Sequence, residues 1–144
     1  MAITTRRMQD VTPTQVFDVL RDGRSYQHWV VGTRAIRDVD AGWPSPGTRL
    51  HYTVGYGPLR KDDVTRSLAY EPDTGLELEA HAWPAGTAGI VLRVERVERG
   101  TRVSIDEAPR RGLARVLHNP AAAALIALRN VETLRRLDAQ ARLR

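Results

Sequence analysis

The 144-residue sequence contains no cysteine and no long apolar run. The first absence excludes a disulfide framework, a thiol nucleophile and cysteine-ligated zinc. The second excludes a transmembrane helix, which needs about 20 consecutive apolar residues, so no membrane insertion is expected. The N-terminal stretch MAITTRRMQD also lacks the apolar segment of a signal peptide. We therefore expect a cytoplasmic protein.

Lysine is scarce, because Lys61 is the only one and every other basic side chain apart from the histidines is arginine. The formal net charge is +5, which raises the question of an anionic partner. A nucleic-acid site needs basic side chains clustered with stacking aromatic rings. Here the arginines alternate with acids, as in LRVERVERGTRVSIDE. This pattern is typical of a solvated surface, and we predict no nucleic-acid partner.

The N-terminal part of the chain predicts a strand followed by a short helix. Residues 2–9 are compatible with a first strand. Thr12 and Gln15 have the spacing of a capping box, and Pro13 suits the first helical position. A helix is therefore expected over residues 13–21. The stretch RSYQHWVV that follows predicts a second short helix or a turn.

The middle of the chain changes to a period of two, which is typical of strands. Turns rich in Gly, Pro and Asp separate six predicted strands, at residues 33–39, 48–56, 62–71, 75–82, 88–98 and 101–107. Their short connections favour an antiparallel meander. Asn119 and Pro120 then begin a long helix that reaches about residue 141. We predict a single α+β domain over residues 1–144, with a seven-stranded antiparallel sheet that curls around the C-terminal helix.

Three polar side chains fall on faces that are predicted to point inward. Strand alternation places Arg66 with Val64, Leu68 and Tyr70, and it places Glu107 with Val103 and Ile105. At about 100° per residue, Asn130 falls in the middle of the apolar face of the last helix. That face comprises Ala123, Ala127, Leu128, Val131, Leu134 and Leu137, with Arg129, Glu132 and Arg136 opposite. Because unpartnered buried polar groups are costly, these side chains either satisfy one another or line a pocket.

Five stretches, in this order, resemble the START-like superfamily, also called SRPBCC or helix-grip proteins. They are TPTQVFDVLRDGRSYQHWVVG, RDVDAGWPSPGTRLHYTVG, AWPAG, GTRVSIDEAP and LRNVETLRRL. Within the superfamily the chain is similar to bacterial polyketide cyclase/dehydrase-like proteins, over essentially its whole length. The resemblance implies a helix-grip fold with a cavity between the sheet and the C-terminal helix. Relatives hold lipids, polyketides and other apolar molecules there, and they share no universal catalytic residues.

The cavity implied by the resemblance gives a set of candidate ligand-binding residues. They are Trp29, Tyr52, Val54, Tyr56, Arg66, Tyr70, Trp83, Leu92, Glu107, Asn130 and Leu134. Each polar candidate has a purely structural alternative. Asn130 could bond a loop carbonyl or another buried side chain, and Glu107 could pair with Arg110 or Arg111. Arg66 could extend to the sheet edge, and the tyrosines could be ordinary core residues.

The sequence carries no catalytic signature. The histidines have no metal-ligand spacing and no serine lies in a G-x-S-x-G context, so we predict neither a metal nor a cofactor. The first hypothesis is a protein that binds an apolar or amphipathic small molecule. The alternatives are a cyclase or dehydratase acting on a polyketide-like substrate, and a protein–protein interaction module. Either a monomer or a homodimer is compatible with the sequence.

Overall fold

The fold is a curved antiparallel sheet with a long C-terminal helix packed on it. A computed structural model describes residues 2–82, 86–111 and 120–144. In chain order the elements are β1 (Ala2–Gln9), α1 (Pro13–Arg21), a 3-10 turn (Gly23–Ser25), α2 (Tyr26–Trp29), β2 (Thr33–Val39), β3 (Arg49–Tyr56), β4 (Leu59–Glu71), β5 (Gly75–Ala82), β6 (Gly86–Val97), β7 (Gly100–Arg111) and α3 (Pro120–Ala141). The predicted α+β helix-grip architecture is confirmed. The predicted helix cap Asn119 and the candidate Trp83 lie outside the described residues.

The sheet has seven strands in the order β1-β7-β6-β5-β4-β3-β2, and every neighbouring pair is antiparallel. From β2 to β7 each strand pairs with the next one in the chain, and β7 also pairs with β1. The register aligns apolar side chains across the sheet, as where Leu76 pairs with Leu92 and Leu92 with Ile105. These aligned rows form the inner face, because alternate residues of a strand point to the same side.

Helix α1 begins with the predicted capping box. The Gln15 backbone N–H donates to Thr12 Oγ1 at 3.2 Å, and the Thr12 N–H donates to Gln15 Oε1 at 2.8 Å. The helix buries Val16, Phe17, Val19 and Leu20. Its apolar face thus joins the same hydrophobic core as the inner face of the sheet.

Strand β4 presents the opposite face from the one predicted. Asp63, Thr65 and Ser67 are buried, whereas Arg66 is exposed. A register shift between Ser67 and Ala69 then changes the alternation. The prediction assumed that the strand alternates without interruption, so that Arg66 points to the same side as Tyr70. A bulge between the two residues breaks this alternation. The inward position predicted for Arg66 was therefore wrong.

Helix α3 is also rotated relative to its predicted orientation. The buried positions are Asn130, Thr133, Leu134, Leu137, Asp138 and Ala141. Leu134 and Leu137 were predicted correctly, but Leu128 is 66% exposed, and Ala127 and Val131 are exposed too. Arg129, which was predicted on the outer face, is half-buried. The projection followed apolarity alone, whereas the buried face of the helix includes the polar side chains of Asn130, Thr133 and Asp138.

Asp138 joins helix α3 to strand β1. Its carboxylate is buried and accepts from Arg6 Nε at 2.9 Å and from Arg142 Nε at 2.8 Å. We expect Asp138→Asn to lower the free energy of unfolding by about 1–3 kcal/mol, because a buried charge-assisted acceptor is lost. Urea denaturation measures the loss. Glu132→Gln, which breaks pairs with Arg135 and Arg136 on the surface, should cost much less. Equal losses in the two variants would contradict this interpretation.

Candidate functional site

A cavity of about 150 Å³ lies between the inner face of the sheet and the middle of helix α3. Its apolar wall is formed by side chains from strands β3, β5, β6 and β7, together with helix α2 and the residues after it. The apolar and aromatic lining residues are Tyr26, Trp29, Val30, Val31, Leu50, Tyr52, Val54, Leu78, Ala80, Ile90, Leu92 and Ile105. The polar and charged ones are Thr33, Thr65, His81, Glu107, Arg129, Asn130 and Thr133.

The residues that line the cavity differ in their burial. Leu50, Leu78 and Leu92 are buried in its floor. Val31 and Thr33, which connect α2 to β2, are only half-buried, as is Arg129. Val54, Ala80 and Ile90 are half-buried too, and His81 is exposed, so the cavity is not fully enclosed and communicates with solvent.

The aromatic side chains of α2 present their rings to the cavity, and their polar atoms are hydrogen-bonded within the protein. Tyr26 and Trp29 pack with their ring centroids 4.5 Å apart. The Tyr26 hydroxyl donates to the Leu20 carbonyl at 2.9 Å, and Trp29 Nε1 donates to Ser25 Oγ at 3.2 Å. Burial raises the pKa of Tyr26 above its ordinary value. These rings thus form an apolar end wall, with their polar atoms bonded to the protein.

Tyr52 contributes a buried hydroxyl to the cavity. Strand β3 turns it inward beside Leu50, and Thr65 Oγ1 on β4 donates to its hydroxyl oxygen at 2.9 Å. Burial raises the pKa of Tyr52 to about 12, since the phenolate would be poorly solvated. Near neutral pH the side chain is therefore an uncharged phenol.

The Tyr52 pKa gives a direct spectroscopic prediction. A folded pKa raised from its usual value of about 10 means that the neutral form stabilises the fold. That contribution is complete below about pH 10 and is lost as the pH rises through about 12. We therefore subtract the phenolate absorbance of Tyr52→Phe from that of the wild-type protein at each pH. This difference should stay constant up to about pH 11 and increase at higher pH. A difference curve with its midpoint near 10 would refute the buried position.

A polar group formed by Glu107, Arg129 and Asn130 lies in the cavity wall where strand β7 approaches helix α3. Glu107 on β7 is 7% exposed, and its Oε1 accepts from Arg129 Nη2 at 2.5 Å. The same Nη2 donates to Asn130 Oδ1 at 3.4 Å. Asn130 is 3% exposed, and its Nδ2 has no hydrogen-bond partner among the described residues. The group thus combines an internal ion pair with an unsatisfied amide donor.

Six of the predicted candidates line this cavity. They are Trp29, Tyr52, Val54, Leu92, Glu107 and Asn130. Glu107 pairs with Arg129, which the sequence interpretation had placed on the outer side of the helix. The side chains of its predicted partners, Arg110 and Arg111, lie outside the described residues.

The remaining candidates lie elsewhere. Arg66 is on the outer face of the sheet, with its Nη2 3.4 Å from Glu79 Oε1. Tyr70 stacks on Phe17 with centroids 6.2 Å apart, and its hydroxyl accepts from Arg21. Leu134 is fully buried in the hydrophobic core and does not line the cavity. The side chain of Tyr56, like the whole of Trp83, lies outside the described residues.

The sequence interpretation missed five polar residues of the cavity wall, namely Thr33, Thr65, His81, Arg129 and Thr133. Thr65 was missed because the bulge in β4 reverses the predicted alternation. Thr133 Oγ1 accepts from the Val31 N–H at 3.3 Å and so joins helix α3 to the segment between α2 and β2. The i, i+3 spacing of Asn130 and Thr133 was the available signal, since it places both on one helix face.

Two negative observations apply to residues 2–82, 86–111 and 120–144. Within them no three His, Asp or Glu side chains are grouped so that they could hold a metal ion. No helix in this part of the chain is both long and apolar enough to span a membrane.

Comparisons with known proteins agree with the fold. The family described as polyketide cyclase / dehydrase and lipid transport matches residues 1–142. A Rhodobacter sphaeroides protein superposes with a TM-score of 0.72 at 20% identity, covering 95% of this chain and 88% of that one. Ara h 8.0201 superposes with a TM-score of 0.67 at 11% identity, covering 99% of this chain and 100% of that one. DynU16, a protein in the dynemicin biosynthetic locus, superposes with a TM-score of 0.68 at 14% identity, covering 96% of this chain and 45% of that one.

No curated protein matches the sequence. The match over residues 1–142 places the chain in the polyketide cyclase/dehydrase and lipid transport family.

Proposed function

We propose that the protein binds a small apolar or amphipathic molecule in the cavity between the sheet and helix α3. The observation that carries this proposal is an open space of about 150 Å³ in the interior, walled mainly by apolar side chains. Protein interiors are normally close-packed, and a void forfeits contacts that its lining could otherwise make. A cavity kept at that cost, with an opening to solvent, suits a ligand.

The cavity volume limits the size of the buried part of the ligand. An engineered apolar cavity of about 150 Å³ in another protein binds benzene, whereas pockets for drug-sized molecules measure about 300–1,000 Å³. We therefore expect one ring or a short acyl chain to be enclosed. Any larger part of the ligand would extend out of the cavity towards solvent.

Binding is favoured over catalysis by the state of the polar side chains. A cyclase or dehydratase needs a group that can donate or take up a proton near the operating pH. Glu107 is engaged in an ion pair with Arg129, and the raised pKa of Tyr52 makes its phenol a weaker acid than usual. His81, the other lining side chain that could exchange a proton, is already hydrogen-bonded to the buried carboxylate of Asp63. The enzyme hypothesis accordingly ranks second, and the polyketide cyclase name of the family remains its main support.

A probe panel tests the binding proposal and separates it from catalysis. We expect benzene and ethylbenzene to raise the melting temperature and to give saturable heats in calorimetry, since they bind the native state alone. A poly-β-ketone incubated with the protein should be recovered unchanged. Failure of every apolar probe to bind would overturn the proposal, and formation of a cyclised product would favour the enzyme.

A further inference from the structure

We infer that the ligand carries a neutral carbonyl-type oxygen, which accepts a hydrogen bond from Asn130 Nδ2, and that it is not a carboxylate. This inference rests on the proposed binding function and specifies the polar end of the ligand. It depends on two features of the cavity wall, namely the unsatisfied Asn130 amide and the ion pair between Glu107 and Arg129.

The first feature is the donor. Asn130 is buried and lines the cavity, and its Nδ2 has no partner within the described part of the protein. A buried amide N–H that has left water without a new partner is unfavourable. A ligand oxygen in the cavity would supply the missing acceptor. A pure hydrocarbon would leave the donor unsatisfied.

The orientation of the Asn130 amide is fixed by its neighbour. Arg129 Nη2 donates to Asn130 Oδ1 at 3.4 Å, and a guanidinium has no acceptor to offer. Rotating the amide by half a turn would place its NH2 group against that cation. The group left unsatisfied is therefore a donor, and what it requires is an acceptor.

The second feature sets the charge. Two basic side chains line the cavity, Arg129 and His81, and each already has a carboxylate partner. Glu107 Oε1 lies 2.5 Å from Arg129 Nη2, and His81 is hydrogen-bonded to Asp63. The pair of Glu107 and Arg129 is neutral overall, and Glu107 is almost fully buried. An anionic ligand would have to break the pair or approach a second carboxylate in a poorly solvated space, and both are unfavourable. A ketone, ester or amide oxygen meets neither penalty.

Three ligands of similar size test the inference, each with a single ring that fits the enclosed volume. Acetophenone has a neutral carbonyl, ethylbenzene has none, and benzoate has a carboxylate. For the wild-type protein we expect acetophenone to bind about 3- to 10-fold more tightly than ethylbenzene, the usual gain from one net hydrogen bond. Benzoate should bind more weakly than both. Calorimetry at neutral pH and constant ionic strength gives the three dissociation constants.

Variants assign the preference to its atoms. Asn130→Leu should remove the preference for acetophenone while ethylbenzene still binds. Glu107→Gln frees the Arg129 charge and should raise benzoate affinity at least tenfold, because a charge-assisted pair becomes available. Asp138→Asn serves as the control, since Asp138 is buried on the same helix but does not line the cavity. It lowers stability and should leave the order of the three ligands unchanged.

The outcomes distinguish this inference from the proposed function. If ethylbenzene binds but acetophenone gains nothing over it, or gains equally in Asn130→Leu, the inference fails while the binding function stands. If benzoate binds most tightly to the wild-type protein, the site prefers an anionic ligand and the inference is wrong. If none of the three ligands binds, the binding function itself fails, and the inference fails with it.

Discussion

Leu137→Ala should lower the free energy of unfolding by about 2–5 kcal/mol, whereas Leu128→Ala should change it by less than about 0.5 kcal/mol. Both leucines are on helix α3, and both fall on the apolar face that sequence periodicity predicts. The structure separates them, because Leu137 is 0% exposed and Leu128 is 66% exposed. Truncating the first leaves a void in the core, while truncating the second removes atoms already in water.

Urea denaturation followed by tryptophan fluorescence measures both losses. Trp29 and Trp43 are buried, so unfolding should change their emission. The pair also tests the rotation of helix α3, on which the position of the polar group depends. Similar losses in the two variants would mean that the helix buries its apolar face as the periodicity predicts. Asn130 would then remain inside, but Arg129 would be too far round the helix to reach Glu107.

Ala80→Trp should abolish detectable binding of ethylbenzene, a loss of at least about 10-fold, without unfolding the protein. Ala80 lies on β5, is half-buried and lines the cavity. An indole placed there would occupy much of the 150 Å³. Filling a void restores packing contacts, so the cost in stability should be small, between about −1 and 2 kcal/mol.

Ala35→Trp provides the matched control for that variant. Ala35 is on strand β2, is exposed, and is not part of the cavity wall. The same change of residue there should leave ethylbenzene affinity within about twofold of the wild-type value. Undiminished binding to Ala80→Trp would place the ligand elsewhere on the protein. Equal loss in both variants would indicate a general effect of the added indole.

Most of the fold could be predicted from the sequence because its signals are local. The capping box of Thr12 and Gln15 defined the start of α1, and the two-residue period defined the strands. Short turns between strands left the antiparallel meander as the simplest topology. The resemblance to helix-grip proteins added what local signals lack, namely the packing of the last helix against the sheet.

The site was predicted less well because its decisive features are not local. A bulge in β4 reverses the alternation, so Thr65 lines the cavity and Arg66 faces solvent. The rotation of α3 depends on what the sheet presents to it. Glu107 attracts Arg129 inward, and apolar periodicity gives no weight to such a pair. Asn130 was identified because its polarity on an apolar face was visible in the sequence alone.

The central claim is that a ligand occupies the space between the sheet and helix α3, and isotope-edited NMR of the acetophenone complex tests it most directly. We predict intermolecular NOEs from the ring protons to the methyl groups of Leu78, Leu92 and Ile105, together with a downfield shift of the Asn130 side-chain amide proton. NOEs confined to exposed side chains such as Leu125 and Leu128 would contradict the claim.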